Sequence, residues 1–225
     1  MYIDIHSHNS KPAKGIFTVE NLMAHEASVP ALCEGMAFSV GIHPWFAEQS
    51  NYGAQLDFVK HYGGHSAVTA IGEAGFDTLK GAPAALQLKT FEEQVRISEN
   101  LQKPLIIHCA GAWEELLSSF RRLKPAMPWL IHGFRGKKAL AQQLVSKGMY
   151  LSLWHGYVLT PLFPELLRTI PACRLFLETD GSGADIRIIY EKTAAALGLT
   201  TQELKEQIAA NCGKVFLNTI HVFAK

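Results

Sequence analysis

The chain has 225 residues, 48% of them hydrophobic and 18% charged, with a formal net charge of +1. That length carries one sizeable globular core and suits a single domain over residues 1–225. The near-neutral charge excludes long-range steering toward a wrapped polymer, so a phosphate-bearing substrate would have to be held by local groups or by metal.

Taken in order, short apolar runs recur, and most stop at a histidine or a carboxylate. Tyr2–Ile5 runs into His6 and His8, and residues 9–15 read as a loop. Ile16-Phe17-Thr18-Val19 reads as a second strand with no helix before it, so the fold begins irregularly. Ala37–Val40 leads to Gly41-Ile42-His43-Pro44, and Ala67–Ile71 to Gly72-Glu73. Pro83 opens a helical pattern over Ala84–Leu101, with Leu88, Phe91, Val95 and Ser98 on one stripe. Leu105–Ile107 stops at His108, and a helix is predicted over Trp113–Leu123.

Trp129–Ile131 then stops at His132, and a helix over Lys137–Lys147 ends at Gly148 as its cap. Tyr150–Trp154 reaches His155, and Glu165–Arg168 makes a short helix before Pro171. Leu175–Leu177 reaches Glu178 and Asp180, and Thr200 with Glu203 forms a capping box for the last helix. Continuous apolar runs of this kind suit strands buried on both faces, and strand alternates with helix from residue 67 onward. The expected fold class is α/β: an irregular TIM (β/α) barrel with a shortened first βα region.

The four cysteines are far apart and form no C-x-x-C pair, which argues against a zinc ribbon or a dense disulfide framework. No basic run precedes an apolar stretch at Met1, and no apolar run nears the roughly 20 residues that span a bilayer. A cytoplasmic protein with no membrane contact and no obligate protein partner is expected.

His6 and His8 alternate along an extended chain, so both side chains share a face and suit one divalent ion. Glu73, just past a strand and flanked by glycines that let the backbone turn, is a carboxylate able to bridge two cations. His108, His132 and Asp180 each follow an apolar run. Any one of these residues could be structural. Together they occupy successive strand ends, where the catalytic groups of a barrel converge.

The segments Asp4-Ile5-His6-Ser7-His8, Gly41-Ile42-His43-Pro44, Gly72-Glu73-Ala74-Gly75-Phe76-Asp77, Ile106-Ile107-His108, Ile131-His132-Gly133-Phe134 and Leu177-Glu178-Thr179-Asp180 resemble, in order, the signatures of TatD-like metal-dependent deoxyribonucleases. The resemblance implies two divalent ions, with zinc, manganese and magnesium all open. It implies that His6 and His8 hold one ion, that His108 and His132 hold the other, and that Glu73 bridges. It places Asp180 on the first ion, orienting or deprotonating water, and His43 near the scissile phosphate. DNA, single-stranded or at an end, is the implied substrate. A same-fold hydrolase of a small phosphoester, ester or cyclic amide is the first alternative, and a non-catalytic metal-binding barrel the second.

Two departures bear on substrate. Relatives carry an Arg shortly after the histidine matching His108, whereas here Cys109-Ala110-Gly111 follows; Arg135 is either its replacement or a solvated surface residue. Gly181-Ser182-Gly183 stands where relatives have a proline-containing turn. Glu178 is open between orienting a neighbour and having no role, and Cys109 between packing and approaching the metal. Trp45, Trp154 and Tyr157 could stack on a base, with rim packing the plainer reading. His25, His61, His65 and His221 are expected at the surface or in packing, while His155 is left open.

Overall fold

A computed structural model describes residues 1–26, 33–47 and 49–216. His221 therefore lies outside the described residues. Among the described residues, eight strands follow one another in chain order: β1 (Tyr2–Ser7), β2 (Ile16–Met23), β3 (Met36–Gly41), β4 (Val68–Asp77), β5 (Leu105–Ala110), β6 (Trp129–Ile131), β7 (Tyr150–Trp154) and β8 (Leu175–Glu178). The helices are α1 (Tyr52–Gly63), α2 (Ala84–Leu101), α3 (Trp113–Leu123), α4 (Lys138–Ser146), α5 (His155–Val158), α6 (Phe163–Leu167), α7 (Ile186–Leu197) and α8 (Thr201–Val215). Parallel strands linked through helices make this the expected α/β class, and no helix separates β1 from β2, as expected. Among the described residues, no helix is long and apolar enough to cross a membrane.

The chain divides into two compact units. The first comprises Met1–Glu20, Cys33–Ala37 and Leu130–Lys225. In it β1 pairs with β2, β6 with β7 and β7 with β8, all parallel. Helices α7 and α8 pack on β1 and β8. Tyr190 of α7 fixes that packing, because its hydroxyl accepts from Ile3 N at 3.1 Å and donates to Ile3 O at 3.0 Å. Thr200 and Glu203 form the predicted capping box of α8. Gly148 ends α4 in the left-handed conformation expected of a cap.

The second unit comprises Asn21–Leu32 and Phe38–Trp129, with β3, β4 and β5 parallel. Its core is aromatic: Phe76 and Phe91 lie 4.6 Å apart, Phe91 and Trp129 5.3 Å, and Phe120 and Trp129 5.1 Å. Such pairs contribute about 0.5–1.5 kcal/mol each beyond area burial. Helix α2 spans the predicted residues, yet its buried face includes Gln87 and Gln94 while Leu88 is only half-buried. Both glutamines replace water on the backbone. Gln94 accepts from Ile42 N at 2.7 Å and donates to Ile42 O, and Gln87 does the same for Asp77.

Strand β4 differs most from expectation. It continues to Asp77 with all ten residues buried, so Glu73 lies inside a strand and not in a turn beyond one. The glycines beside Glu73 serve close approach instead of a turn. A Cβ at Gly75, whose φ is +152°, would sit 1.9 Å from His108 O, and one at Gly72 would sit 2.3 Å from Ile106 O. Glycine is what lets β4 lie this close to β5.

Candidate active site

In the first unit β1 delivers His6 and His8, and the segment after β8 delivers Asp180. The two imidazoles meet edge to face, with ring centres 4.9 Å apart. His6 Nε2 and His8 Nε2 lie 3.9 and 3.8 Å from one atom, Asp180 Oδ1. These separations are too long for hydrogen bonds, and they are the spacing of donors that share an ion at about 2.0–2.2 Å each. His6 is fully buried, while His8 and Asp180 are about one-fifth exposed, so the cluster is open on one side only.

The backbone explains how Asp180 gets there. Its N–H donates to His6 O at 3.2 Å, and residues 180 and 181 are both left-handed, with φ of 51° and 64°. Asp tolerates that conformation, and Gly181 is required because a Cβ would come within 3.1 Å of His8 Cβ. The chain thus reverses directly after Asp180.

One residue earlier, Thr179 is tied to Asp4. Asp4 Oδ1 accepts from Thr179 N at 2.9 Å, and Oδ2 accepts from the Thr179 hydroxyl at 2.6 Å. Burial pushes the Asp4 carboxyl up to about 7, with the Thr179 hydrogen bonds pulling the other way. A folded pKa above the unfolded value of 3.8 makes this group's stabilisation full below about pH 4, and lost as pH rises through 7. In metal-stripped protein, Asp4→Asn is therefore expected to be more stable relative to wild type at pH 8 than at pH 4, by up to about 4 kcal/mol. Denaturant unfolding at both pH values checks this; a mutant–parent difference that does not change with pH contradicts it.

His132 follows β6, with its ring 4.3 Å from that of His6. Its Nδ1 lies 3.3 Å from Glu178 Oε1. Glu178 is fully buried; burial alone would raise its pKa, but the adjacent His132 and His6 more than offset that and hold it below the ordinary range. A carboxylate on Nδ1 fixes the ring and leaves Nε2 as the nitrogen that could hold a metal. Of the two readings open for Glu178, the geometry is that of orienting His132.

In the second unit Glu73 is the hub. Its N–H donates to Asn21 Oδ1 at 2.8 Å, which anchors the backbone. Its Oε1 lies 3.1 Å from His43 Nε2 and 2.9 Å from His108 Nδ1. Trp45 N donates to His43 Nδ1 at 3.1 Å, so Nε2 carries the His43 proton and donates to Glu73. His108 has a second carboxylate at its other nitrogen, with Asp77 Oδ2 3.1 Å from Nε2. Asp77 also accepts from Trp45 Nε1 at 2.7 Å and from the amides of Leu79 and Lys80. Burial would raise the Asp77 pKa, but those donors together hold it below the carboxylate range.

The donor sets suit metal. His6, His8 and Asp180 form one group whose ligand atoms lie within 4.8 Å of one another; His43, Glu73 and His108 form another, and His132, Glu178 and Asp180 a third. Each mixes imidazole with carboxylate, the chemistry of divalent transition ions. The predicted site residues are thus distributed as His6, His8, His132, Arg135 and Asp180 in one unit and His43, Glu73 and His108 in the other. Arg135 stacks on Trp154, its guanidinium 4.3 Å from the ring centre. Cys109 is a packing residue whose thiol burial pushes up to about 12. His25 stacks on Phe46 at 3.8 Å, and His155 opens the single turn of α5.

Asp77 and Asn21 were given no role from sequence. Asp77 ends an apolar run, as the other site residues do, and that signal was available; nothing local marks Asn21.

A deoxyribonuclease Tat-D of Schizosaccharomyces pombe is 28% identical over 162 residues, which cover 66% of this chain and 52% of that protein. A 3'-5' ssDNA/RNA exonuclease TatD of Cronobacter sakazakii is 31% identical over 65% of this chain and 57% of its own length. The chain thus spans little more than half the length of these curated relatives. The fold matches the crystal structure of a TatD family hydrolase from Entamoeba histolytica with a TM-score of 0.79, at 16% identity, over 97% of this chain and 98% of that one. The family model for TatD related DNase matches residues 5–217, and the chain belongs to that family.

Proposed function

We propose that the chain is a metal-dependent hydrolase that trims single-stranded DNA from an end. The observation that carries this is the placement of two imidazoles and a carboxylate, His6, His8 and Asp180, at ligand spacing and beyond hydrogen-bond range. In this reading His6, His8 and Asp180 hold one divalent ion; a second ion on Glu73, His108 and His132, with Glu73 bridging, is what the family resemblance implies. The histidine content favours zinc or manganese over magnesium. Bound there, divalent ions supply positive charge to the phosphoryl oxygens and make water acidic enough to attack near neutral pH. Asp180 takes the proton of the attacking water. Glu178 keeps the His132 ring in place, and His43, its Nδ1 tied to Trp45 N, lies beside the phosphate. The whole chain is proposed to act as one catalytic domain.

The names of the relatives support single-stranded nucleic acid as substrate, and a net charge of +1 suits a site that holds one terminus better than one that grips a duplex. The test is a comparison of substrates on metal-loaded protein. Stepwise shortening of an end-labelled single-stranded oligonucleotide, at a rate far above hydrolysis of a small phosphoester, is expected. Hydrolysis of the small ester with the oligonucleotide left intact would overturn DNA as substrate.

Arg135 is proposed as a peripheral phosphate contact. Arg135→Ala is expected to weaken oligonucleotide affinity less than about threefold with kcat unchanged, and to lower stability by under about 1 kcal/mol through the lost Trp154 contact. Isotherms and melting curves of the variant measure both; a tenfold loss of affinity would make Arg135 a principal contact instead.

A further inference from the structure

The second unit holds an exposed cation in the turn beside Asp77. Lys80 Nζ lies over the Trp45 ring, 3.9 Å from its centre. Both side chains are solvent-accessible, Trp45 at 37%.

The pair is held in place from several sides. Trp45 donates through its indole N–H to Asp77 and through its backbone N–H to His43. Lys80 sits in a turn whose amides at 79 and 80 both donate to Asp77 Oδ1. That turn docks on the Trp45 loop, where Ala82 N donates to Pro44 O at 3.1 Å. Gly81, at φ +116°, permits the approach, since a Cβ there would lie 2.6 Å from Pro44 O. Asp77 is shared by this pair and by His108, so a single carboxylate orients the exposed ring, the lysine-bearing turn and the imidazole beside Glu73. An exposed lysine ordinarily samples many rotamers in water; here the turn and the ring restrict it before any ligand arrives.

Building on the nuclease reading, we propose that Lys80 and Trp45 form a nucleotide subsite. Lys80 binds a backbone phosphate of the single strand, and Trp45 stacks the adjoining base. A cation paired with an aromatic face is the combination that grips single strands without reading sequence. With a net charge of +1 there is no diffuse field to do this work, so one fixed ammonium counts for much.

The experiment is a salt titration of affinity, using the metal-loaded 225-residue chain and a phosphorothioate oligonucleotide that resists cleavage. For single strands, each lost phosphate contact reduces the slope of log affinity against log salt by about 0.7. Lys80→Ala is expected to lower the slope by that amount and to weaken binding about tenfold at low salt, whereas Lys80→Arg keeps the slope. Trp45→Leu is expected to weaken binding about tenfold with the slope unchanged, as a stacking loss does. Lys60→Ala, an exposed lysine on α1, serves as the control and leaves both unchanged. An unchanged slope in Lys80→Ala, with wild type binding normally, overturns the subsite alone. Absence of binding by wild type overturns the nucleic-acid reading and the subsite with it.

Discussion

Exchanging Asp180 for asparagine is expected to lower turnover on a single-stranded oligonucleotide by at least about a hundredfold while leaving the melting temperature within a few degrees. The substitution is nearly isosteric, and the side chain is one-fifth exposed, so the fold has little reason to respond. The backbone N–H that donates to His6 O is retained, and so is the reversal at Gly181. What disappears is the negative charge 3.8–3.9 Å from two imidazole nitrogens, and with it the proposed metal ligand and the proposed acceptor for the water's proton. Metal affinity should fall alongside turnover. Turnover within threefold of wild type would remove Asp180 from the chemistry.

The largest stability effect is expected from a single methyl group. Gly75→Ala would place Cβ 1.9 Å from the carbonyl oxygen of His108, at a φ of +152° that L side chains rarely adopt. Both neighbours are backbone of buried strands in direct register, Gly75 opposite His108, so neither can yield cheaply. Overpacking and strain together are expected to cost about 3 kcal/mol or more, a fall in Tm on the order of 10 °C for a chain of this size. Gly53→Ala is the matched control. Gly53 lies in α1 with nothing near its Cβ position, and the exchange should be neutral or gain about 0.5–1 kcal/mol. Melting curves of the two variants decide the matter, and equal Tm values would mean that β4 and β5 are not held as close as described.

The histidines and Asp180 were legible because a parallel α/β fold signs its strand ends: an apolar run buried on both faces stops where the chain meets the site. Helices with their own local signals were equally clear, α2 behind Pro83 and α8 behind the Thr200–Glu203 capping box. Helix α1 lacked such a signal, since Asn51 makes no capping hydrogen bond, and it went unread. The extent of β4 was hidden for another reason. Gly72 and Gly75 look like turn residues locally, and only the neighbouring strand reveals that they exist for close approach.

Partnerships across long sequence separations were similarly out of reach. His108 with Asp77 joins the neighbouring strands β5 and β4, while His132 with Glu178 and Asn21 with Glu73 each reach across an intervening strand. Gln87 and Gln94 lie outside the apolar stripe read for α2, yet they are buried because each satisfies a backbone group, that of Asp77 and that of Ile42. The placement of Lys80 over Trp45 depends on a turn that no local signal marks.

The most direct measurement is metal removal and return. Protein stripped with a chelator is offered an end-labelled single-stranded oligonucleotide, and zinc, manganese and magnesium are then restored separately. The oligonucleotide is expected to stay intact in the stripped sample and to shorten stepwise once zinc or manganese is returned. Shortening that persists without metal, or an oligonucleotide left intact with every ion restored, would rule out metal-dependent trimming of DNA.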